Sequence, residues 1–280
     1  MESFVSFSLK GQGREENFAK PVLMAILNVT NDSFFSDSRV NSTKEALIKI
    51  ENFVKEGATI IDIGGQSTRP GSARVSAIEE WNRIEQICKV AKNHFPDIWF
   101  SVDTYHSDVA RNCMDCGFEI VNDISSGDDD DLMLDTLSDK DITYVAMHKF
   151  GDPKTMNLNF KDEDVLELIL NYFNKKSDDF KEKKIKHWIL DLGFGFGKST
   201  VQNFELIKNM NRFKGIGNGL LVGISRKRMI CETINIKSDM ALNGTTALHM
   251  FSLINGAQIL RVHDVKEAQE CIKIYSALKL

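Results

Sequence analysis

Short apolar, β-branched runs that end on a polar residue and give way to a helical stretch recur along almost the whole chain. No other feature restricts the fold as strongly. Val22 to Leu27 ends at Asn28, Thr59-Ile60-Ile61 reaches Asp62, Ile98 to Val102 ends on Asp103, and Glu119-Ile120-Val121 ends on Asn122 and Asp123. Thr143 to Met147 then ends at His148, and His187 to Leu190 at Asp191. Leu220 to Ile224 leads to Ser225, Arg226 and Lys227, and Ala257 to Leu260 leads to Arg261 and His263. Runs of this length and composition read as buried strands. The intervening stretches have helical spacing: in Thr43 to Glu56, Leu47, Ile50 and Val54 share one face and Gly57 stops the helix. Further helices are expected over Ile78 to His94, Ser107 to Cys116, a short piece through Leu137, Glu163 to Lys184, Val201 to Arg212, Asn243 to Asn255 and Val265 to Leu280.

Eight strands alternating with helices imply right-handed parallel crossovers, and in 280 residues they fit a single (β/α)8 TIM barrel over residues 21–280, preceded by a polar lead-in over residues 1–20. A doubly wound open sheet is the alternative. It concentrates ligand groups at one switch point, whereas here essentially every strand ends in a polar residue, which places the active site where all the C-terminal strand ends meet. Lys+Arg of 35 against Asp+Glu of 40 gives 35 − 40 = −5, so bulk charge offers nucleic acid nothing and any anionic ligand needs a local cation cluster. Lys10, Gly11 and Gly13 interrupt the start where an export signal needs an apolar core, and no run is long enough to cross a bilayer, so a cytoplasmic protein without a membrane partner is expected. The scattered cysteines read as reduced packing residues.

Two chemistries mix at the strand ends. Arg261 and His263, with Arg69, Ser67 and Thr68 beyond the Gly64-Gly65 pair, supply the donors and positive charge that bind a phosphate or diphosphate. Asp103, Asn122 and Asp191 are acceptors for a flat heterocycle with adjacent N–H donors. A planar nitrogen heterocycle with a phosphorylated tail satisfies both sets. Gly193-Phe194-Gly195-Phe196-Gly197-Lys198-Ser199-Thr200 is not a Walker loop, because Leu192 stands where its first glycine belongs. Phe194 and Phe196 either pack on the rim or line an aromatic pocket. The acids from Asp128 to Asp131 read as a cap on the short helix that follows, with a cation site as the alternative.

Several of these stretches resemble the dihydropteroate synthase family in motif order from about Pro21 onward: Ile26 to Thr30, Gly64 to Gly71, Ser101 to Thr104, Asn122 to Ser125, Gly193 to Lys198, Ser225 to Lys227 and Arg261 to Asp264. The resemblance implies a pterin-binding barrel that condenses 6-hydroxymethyl-7,8-dihydropterin diphosphate with p-aminobenzoate, releasing diphosphate and 7,8-dihydropteroate, with Mg2+ and usually as a homodimer. Matching by position, it gives pterin contacts to Asp103, Asn122, Met147, Asp191 and Lys227. It gives the diphosphate to Thr68, Arg69, Arg261 and His263, and the metal to Asn28. Phe34, Thr68, Pro70, Phe196, Lys227 and Arg228 would border p-aminobenzoate. The catalytic set is Asp103, Asp191, Lys227 and Arg261, acting in an S_N1-like displacement in which acids stabilise the pterin cation and cations the leaving diphosphate.

Four positions depart from the family pattern. Asn31 and Leu192 replace prolines, Gln66 replaces a glutamate, and Arg228 replaces a serine near the p-aminobenzoate carboxylate. Arg228 is therefore expected to alter sulfonamide sensitivity. Two rival readings remain, a methyltetrahydrofolate-using corrinoid methyltransferase and a non-catalytic pterin-binding homologue. The first has no use for the diphosphate-binding Arg69, Arg261 and His263.

Overall fold

A computed structural model describes residues 4–29, 39–66, 74–151 and 164–278 of the chain. It begins with an antiparallel hairpin of β1 (Phe7–Gly11) and β2 (Arg14–Phe18), followed by β3 (Val22–Asn28), α1 (Arg39–Glu56), β4 (Ile60–Gly64), α2 (Ala77–His94), β5 (Trp99–Asp103) and α3 (Ser107–Asp115). Next come β6 (Ile120–Asp123), α4 (Met133–Leu137), β7 (Thr143–Met147), α5 (Val165–Glu182), β8 (Trp188–Asp191), α6 (Thr200–Lys208) and β9 (Leu220–Val222). α7 (Arg228–Ile234), α8 (Leu242–Ile254), β10 (Ile259–Val262) and α9 (Val265–Ala277) complete it. Strands β3 to β10 close into a barrel with β10 beside β3, and the ladders between neighbours are parallel. This is the expected (β/α)8 barrel.

Strand register decides which side chains enter the lumen. Met24 lies opposite Ile60, Ile60 opposite Trp99, Val145 opposite Ile189, and Leu221 opposite Ile259. These residues, with Ile120, form one buried apolar cluster, the floor of the lumen. Their neighbours one residue along, such as Ala25, Ile61, Phe100, Val121, Leu190 and Leu260, belong to the other cluster beneath the helices. Because side chains alternate along a strand, two residues beyond each floor position the chain again faces inward. Ile26, Met147 and Gly223 stand at three of those second positions, and Asp62, Ser101, Asn122, Asp191 and Arg261 at the others. An apolar floor therefore carries a polar storey at the C-terminal ends.

The hairpin was not foreseen in the polar lead-in. Its Gln12-Gly13 turn has φ of 54° and 78°, the doubly left-handed geometry that suits a two-residue hairpin loop. Phe7 and Leu9 join the floor cluster and plug the lumen from below. The Lys10 N–H donates to Thr143 Oγ1 at 3.1 Å, Trp99 Nε1 donates to Glu16 at 2.9 Å, and the Arg14 guanidinium lies 4.2 Å over the Trp99 ring. A Cβ on Gly11 would sit 2.6 Å from the Glu119 carbonyl, so only glycine permits this approach.

The acidic run acts differently from its expected role. Asp130 accepts from the Ser107 N–H at 2.7 Å and so caps α3 rather than the short helix that follows it, while also accepting from Leu132 N–H at 3.0 Å. Asp128 pairs with Lys176 at 2.5 Å, and Asp129 with Arg74 at 2.7 Å and Lys149 at 2.5 Å. Short α7 was also unforeseen. The cysteines are free thiols, with Cys113 facing Cys88 at 3.8 Å.

Since Leu9 is fully enclosed, Leu9→Ala should cost about 2–5 kcal/mol. Urea unfolding would report this as a lower midpoint, with the kinetic constants of the folded protein unchanged.

Candidate active site

Arg261 organises the polar storey. Its Nε donates to Asp62 Oδ2 at 2.7 Å and a terminal nitrogen donates to Asp103 Oδ2 at 2.6 Å, so the last strand reaches across the lumen to β4 and β5. Asn122 donates its amide to the same Asp62 oxygen at 2.9 Å. Among the described residues, the other Asp62 oxygen is buried without a hydrogen-bond partner. On the far wall, Asp191 accepts from the Gly193 N–H at 2.8 Å.

Burial and mutual repulsion set the electrostatics. Burial, reinforced by Asp62, Asp123 and Asp191 and opposed by Arg261, pushes the Asp103 carboxyl up to about 7. Asp191 is also raised by burial, against the pull of Lys227 and the Gly193 N–H. Enclosure brings Lys227 down to about 8, with Asp191 limiting the fall. For Arg261, burial works against the charge, but Asp62 and Asp103 outweigh it and the guanidinium is held more firmly protonated than usual. The storey is thus a set of acids crowded together and balanced by two cations.

One wall is apolar. Met147, Tyr105 and Ile124 form a small buried cluster against which Phe196 packs, and the Lys227 ammonium lies 4.5 Å over the Phe196 ring while donating to the Phe194 carbonyl. Phe194 turns into the core. Phe194 is thus a core residue, while Phe196 packs on the small cluster at the strand ends. Gly193, Gly195 and Gly197 have φ of 65°, 82° and 72°, and a Cβ on Gly193 would fall 1.8 Å from the His148 carbonyl. This spacing serves close packing rather than phosphate binding, because the Gly193 N–H goes to Asp191 and the Gly195 N–H to Asn203.

The remaining expected residues lie around this centre. Asn28 ends β3, and both its Oδ1 and the Asp103 Cβ lie 3.4 Å from where a Gly64 Cβ would stand, so Asn28 and Asp103 flank Gly64. Immediately after β10, the His263 ring bonds Ser225 Oγ through Nδ1 at 3.0 Å. Arg228 opens α7 with an exposed side chain that pairs with Glu232 at 3.1 Å, one turn along the same helix. Leu192 is buried in the core, and Gln66 accepts from Tyr105 Oη at 2.9 Å and Val75 N–H at 3.0 Å. Asn31, Phe34, Thr68, Arg69 and Pro70 lie outside the described residues.

Two residues matter more than sequence reasoning indicated. Asp62 was one acid among the strand ends, yet it accepts from both Arg261 and Asn122. Arg226, at φ 56°, holds Asp264 through two bonds of 2.8 Å and also donates to the Ser238 and Asp239 carbonyls. It ties the turn bearing Lys227 to the segment after His263. The Arg226 and Asp264 positions stood in the quoted motifs, but nothing local signals a pair 38 residues apart. A cavity of about 240 Å³ lined by Phe4, Phe213, Gly215, Leu253, Gln258 and Tyr275 contains none of the residues of the polar storey.

The family model described as pterin binding enzyme matches residues 24–263. The dihydropteroate synthase of Haemophilus influenzae is 38% identical over 92% of this chain and 94% of its own length. The solved Yersinia pestis dihydropteroate synthase with a sulfonamide drug complex has a TM-score of 0.89 at 34% identity, covering 97% of this chain and 98% of its own. The Xanthomonas albilineans dihydropteroate synthase with 4-aminobenzoic acid also scores 0.89, at 30% identity, covering 98% of this chain and 99% of its own.

Replacing the central guanidinium tests the charge balance. Arg261→Met leaves Asp62 and Asp103 facing each other and should cost about 3–5 kcal/mol at pH 8. Without the cation, the folded-state Asp103 pKa, already raised to about 7, moves further above its unfolded value. The penalty therefore grows as pH rises through that interval, and urea unfolding should show a smaller loss at pH 5 than at pH 8.

Proposed function

The chain belongs to the pterin-binding enzyme family, and on that premise we propose that it is a transferase joining 6-hydroxymethyl-7,8-dihydropterin diphosphate to p-aminobenzoate, giving 7,8-dihydropteroate and diphosphate. The observation that carries this reading is the contact between Arg261 and Asp103. It puts an anion-binding side chain and a heterocycle acceptor within reach of one small molecule.

In this reading Asp103, Asn122 and Asp191 receive the N–H edge of the pterin, and Met147 packs on its ring. Arg261 has five N–H donors, of which Nε and one terminal N–H are engaged with Asp62 and Asp103. The others remain for the diphosphate, together with His263, Thr68 and Arg69. As the methylene carbon–oxygen bond breaks, its electron pair leaves with the diphosphate and positive charge spreads into the pterin. The carboxylates of Asp103 and Asp191 stabilise that charge. The arylamine nitrogen then forms the new bond and gives up its proton. Phe34, Thr68, Pro70, Phe196, Lys227 and Arg228 border the p-aminobenzoate pocket, which is also the pocket for sulfonamides.

Mg2+ completes the reading. Among the described residues no group of three or more His, Cys, Asp or Glu is arranged to hold a metal ion, while Asn28 contributes one neutral oxygen at a strand end. That donor set fits a Mg2+ carried mainly by phosphate oxygens and water, the manner in which this ion usually binds. When bound, the ion offsets charge on the diphosphate. We assign the protein to the cytoplasm as a homodimer; among the described residues, no helix is long and apolar enough to cross a membrane.

Incubation with the pterin diphosphate, Mg2+ and labelled p-aminobenzoate should yield dihydropteroate and diphosphate in equal amounts, and absence of product overturns the reading. Asp103→Asn should lower kcat roughly 10²- to 10³-fold, the worth of one preorganised electrostatic group. Near-normal diphosphate release would remove its role.

Arg228 makes this pocket differ from the family pattern. Its exposed pair with Glu232 is worth little, and a guanidinium at the start of α7 can pair with a carboxylate or sulfonyl group. Arg228→Ser should change the sulfonamide inhibition constant relative to the natural protein, and equal constants would show that Arg228 has no part in drug recognition.

A further inference from the structure

Lys198 is 4% exposed, which is unusual for a lysine and has no explanation in the substrate contacts assigned above. Its ammonium donates to three backbone carbonyls: Gly193 at 2.8 Å, His148 at 3.1 Å and Phe196 at 3.4 Å. A fourth contact is the Phe150 ring, 5.4 Å away. The three acceptors come from two different connections, one after β7 and one after β8. Lys198 therefore fastens the glycine-rich turn to the end of the neighbouring strand. The fit is close, since a Cβ on Gly197 would fall 2.4 Å from the Phe150 carbonyl, and the Phe150 N–H donates to the Phe196 carbonyl at 3.3 Å.

Both ends of the fastened turn reach the site. Gly193, gripped by its carbonyl, presents its N–H to Asp191 at 2.8 Å. Phe196, gripped likewise, carries the ring that packs on the Met147 cluster and under the Lys227 ammonium. Burial draws the Lys198 pKa well below the usual lysine range; of the charged groups facing it, Asp191 favours the ammonium and Lys227 opposes it. The Gly193 and Phe196 carbonyls also accept the Phe196 and Phe150 N–H groups, whereas among the described residues the buried His148 carbonyl has Lys198 as its donor, and an acceptor left without one costs about 1–3 kcal/mol.

We propose that Lys198 is a positioning residue for the transferase reaction, setting Asp191 against the pterin and Phe196 against the arylamine without touching either substrate. The proposal rests on the transferase reading above. A lysine required only for stability would lower the unfolding midpoint and leave the kinetics of the folded protein intact.

The test compares the natural protein with Lys198→Met, Phe196→Leu and the double variant, each assayed below its own unfolding midpoint. Lys198→Met should lower kcat/KM for p-aminobenzoate roughly 10²-fold, the effect of a displacement of about 1 Å, with most of the loss in KM. The double variant should lose little beyond the larger single loss, because both changes remove the same placement. Unchanged kcat/KM in folded Lys198→Met, or fully additive losses, would overturn the proposal. If Lys198→Met does not fold, Lys198→Gln replaces it under the same criteria, since an amide cannot supply all three bonds. Absence of turnover by the natural protein would instead overturn the transferase reading.

Discussion

The Arg261 guanidinium is the constraint on which the polar storey depends. A lumen with an apolar floor is a poor place for ionised carboxylates, and Asp62, Asp103 and Asp191 all project into it. Their burial is sustainable because the last strand sends a planar, permanently charged fork across the barrel, with one arm on Asp62 and one on Asp103. Burial, reinforced by the neighbouring acids, still raises Asp103 to about 7, well above the usual carboxylate range. A cationic pterin intermediate would supply the positive charge that this arrangement lacks, which connects the energetics of the folded barrel to the proposed chemistry.

How much could be read from the chain depended on how locally each feature is encoded. The barrel strands were legible because each short apolar run is bounded by glycines, polar ends and helical spacing. Their inward and outward faces follow from the same alternation, so Asp103, Asn122, Asp191 and Arg261 could be placed together before any coordinates. The hairpin was not legible in this way. Arg14-Glu15-Glu16 looks solvent-facing, and only the tertiary position of Phe7 and Leu9 under the floor makes the segment a plug. The acidic run was misread for a related reason: the partners of Asp128, Asp129 and Asp130 are Lys176, Lys149, Arg74 and the start of α3, all distant in sequence.

The same distinction runs through the site. Residue type at a strand end indicated acceptor or anion binder, and contact geometry then showed which side chains are committed to others within the protein. Asp62 spends its charge holding Arg261 and Asn122, Arg226 aligns two neighbouring connections, and Lys198 closes the glycine turn. Apart from the Lys198–Gly193 bond, which lies within one motif, these bonds join residues far apart in the chain. Arg228 shows the opposite limit, because its departure from the family pattern was visible at once, yet its side chain lies along its own helix toward Glu232.

A crystal structure of the protein with the unreactive, fully oxidised 6-hydroxymethylpterin diphosphate tests the central claim most directly. The account predicts that the heterocycle edge lies within hydrogen-bonding distance of Asn122 and Asp191, while the phosphates sit on Arg261 and His263 of the same barrel. Phosphates bound away from Arg261, with its guanidinium contacting Asp62 and Asp103 alone, would contradict it.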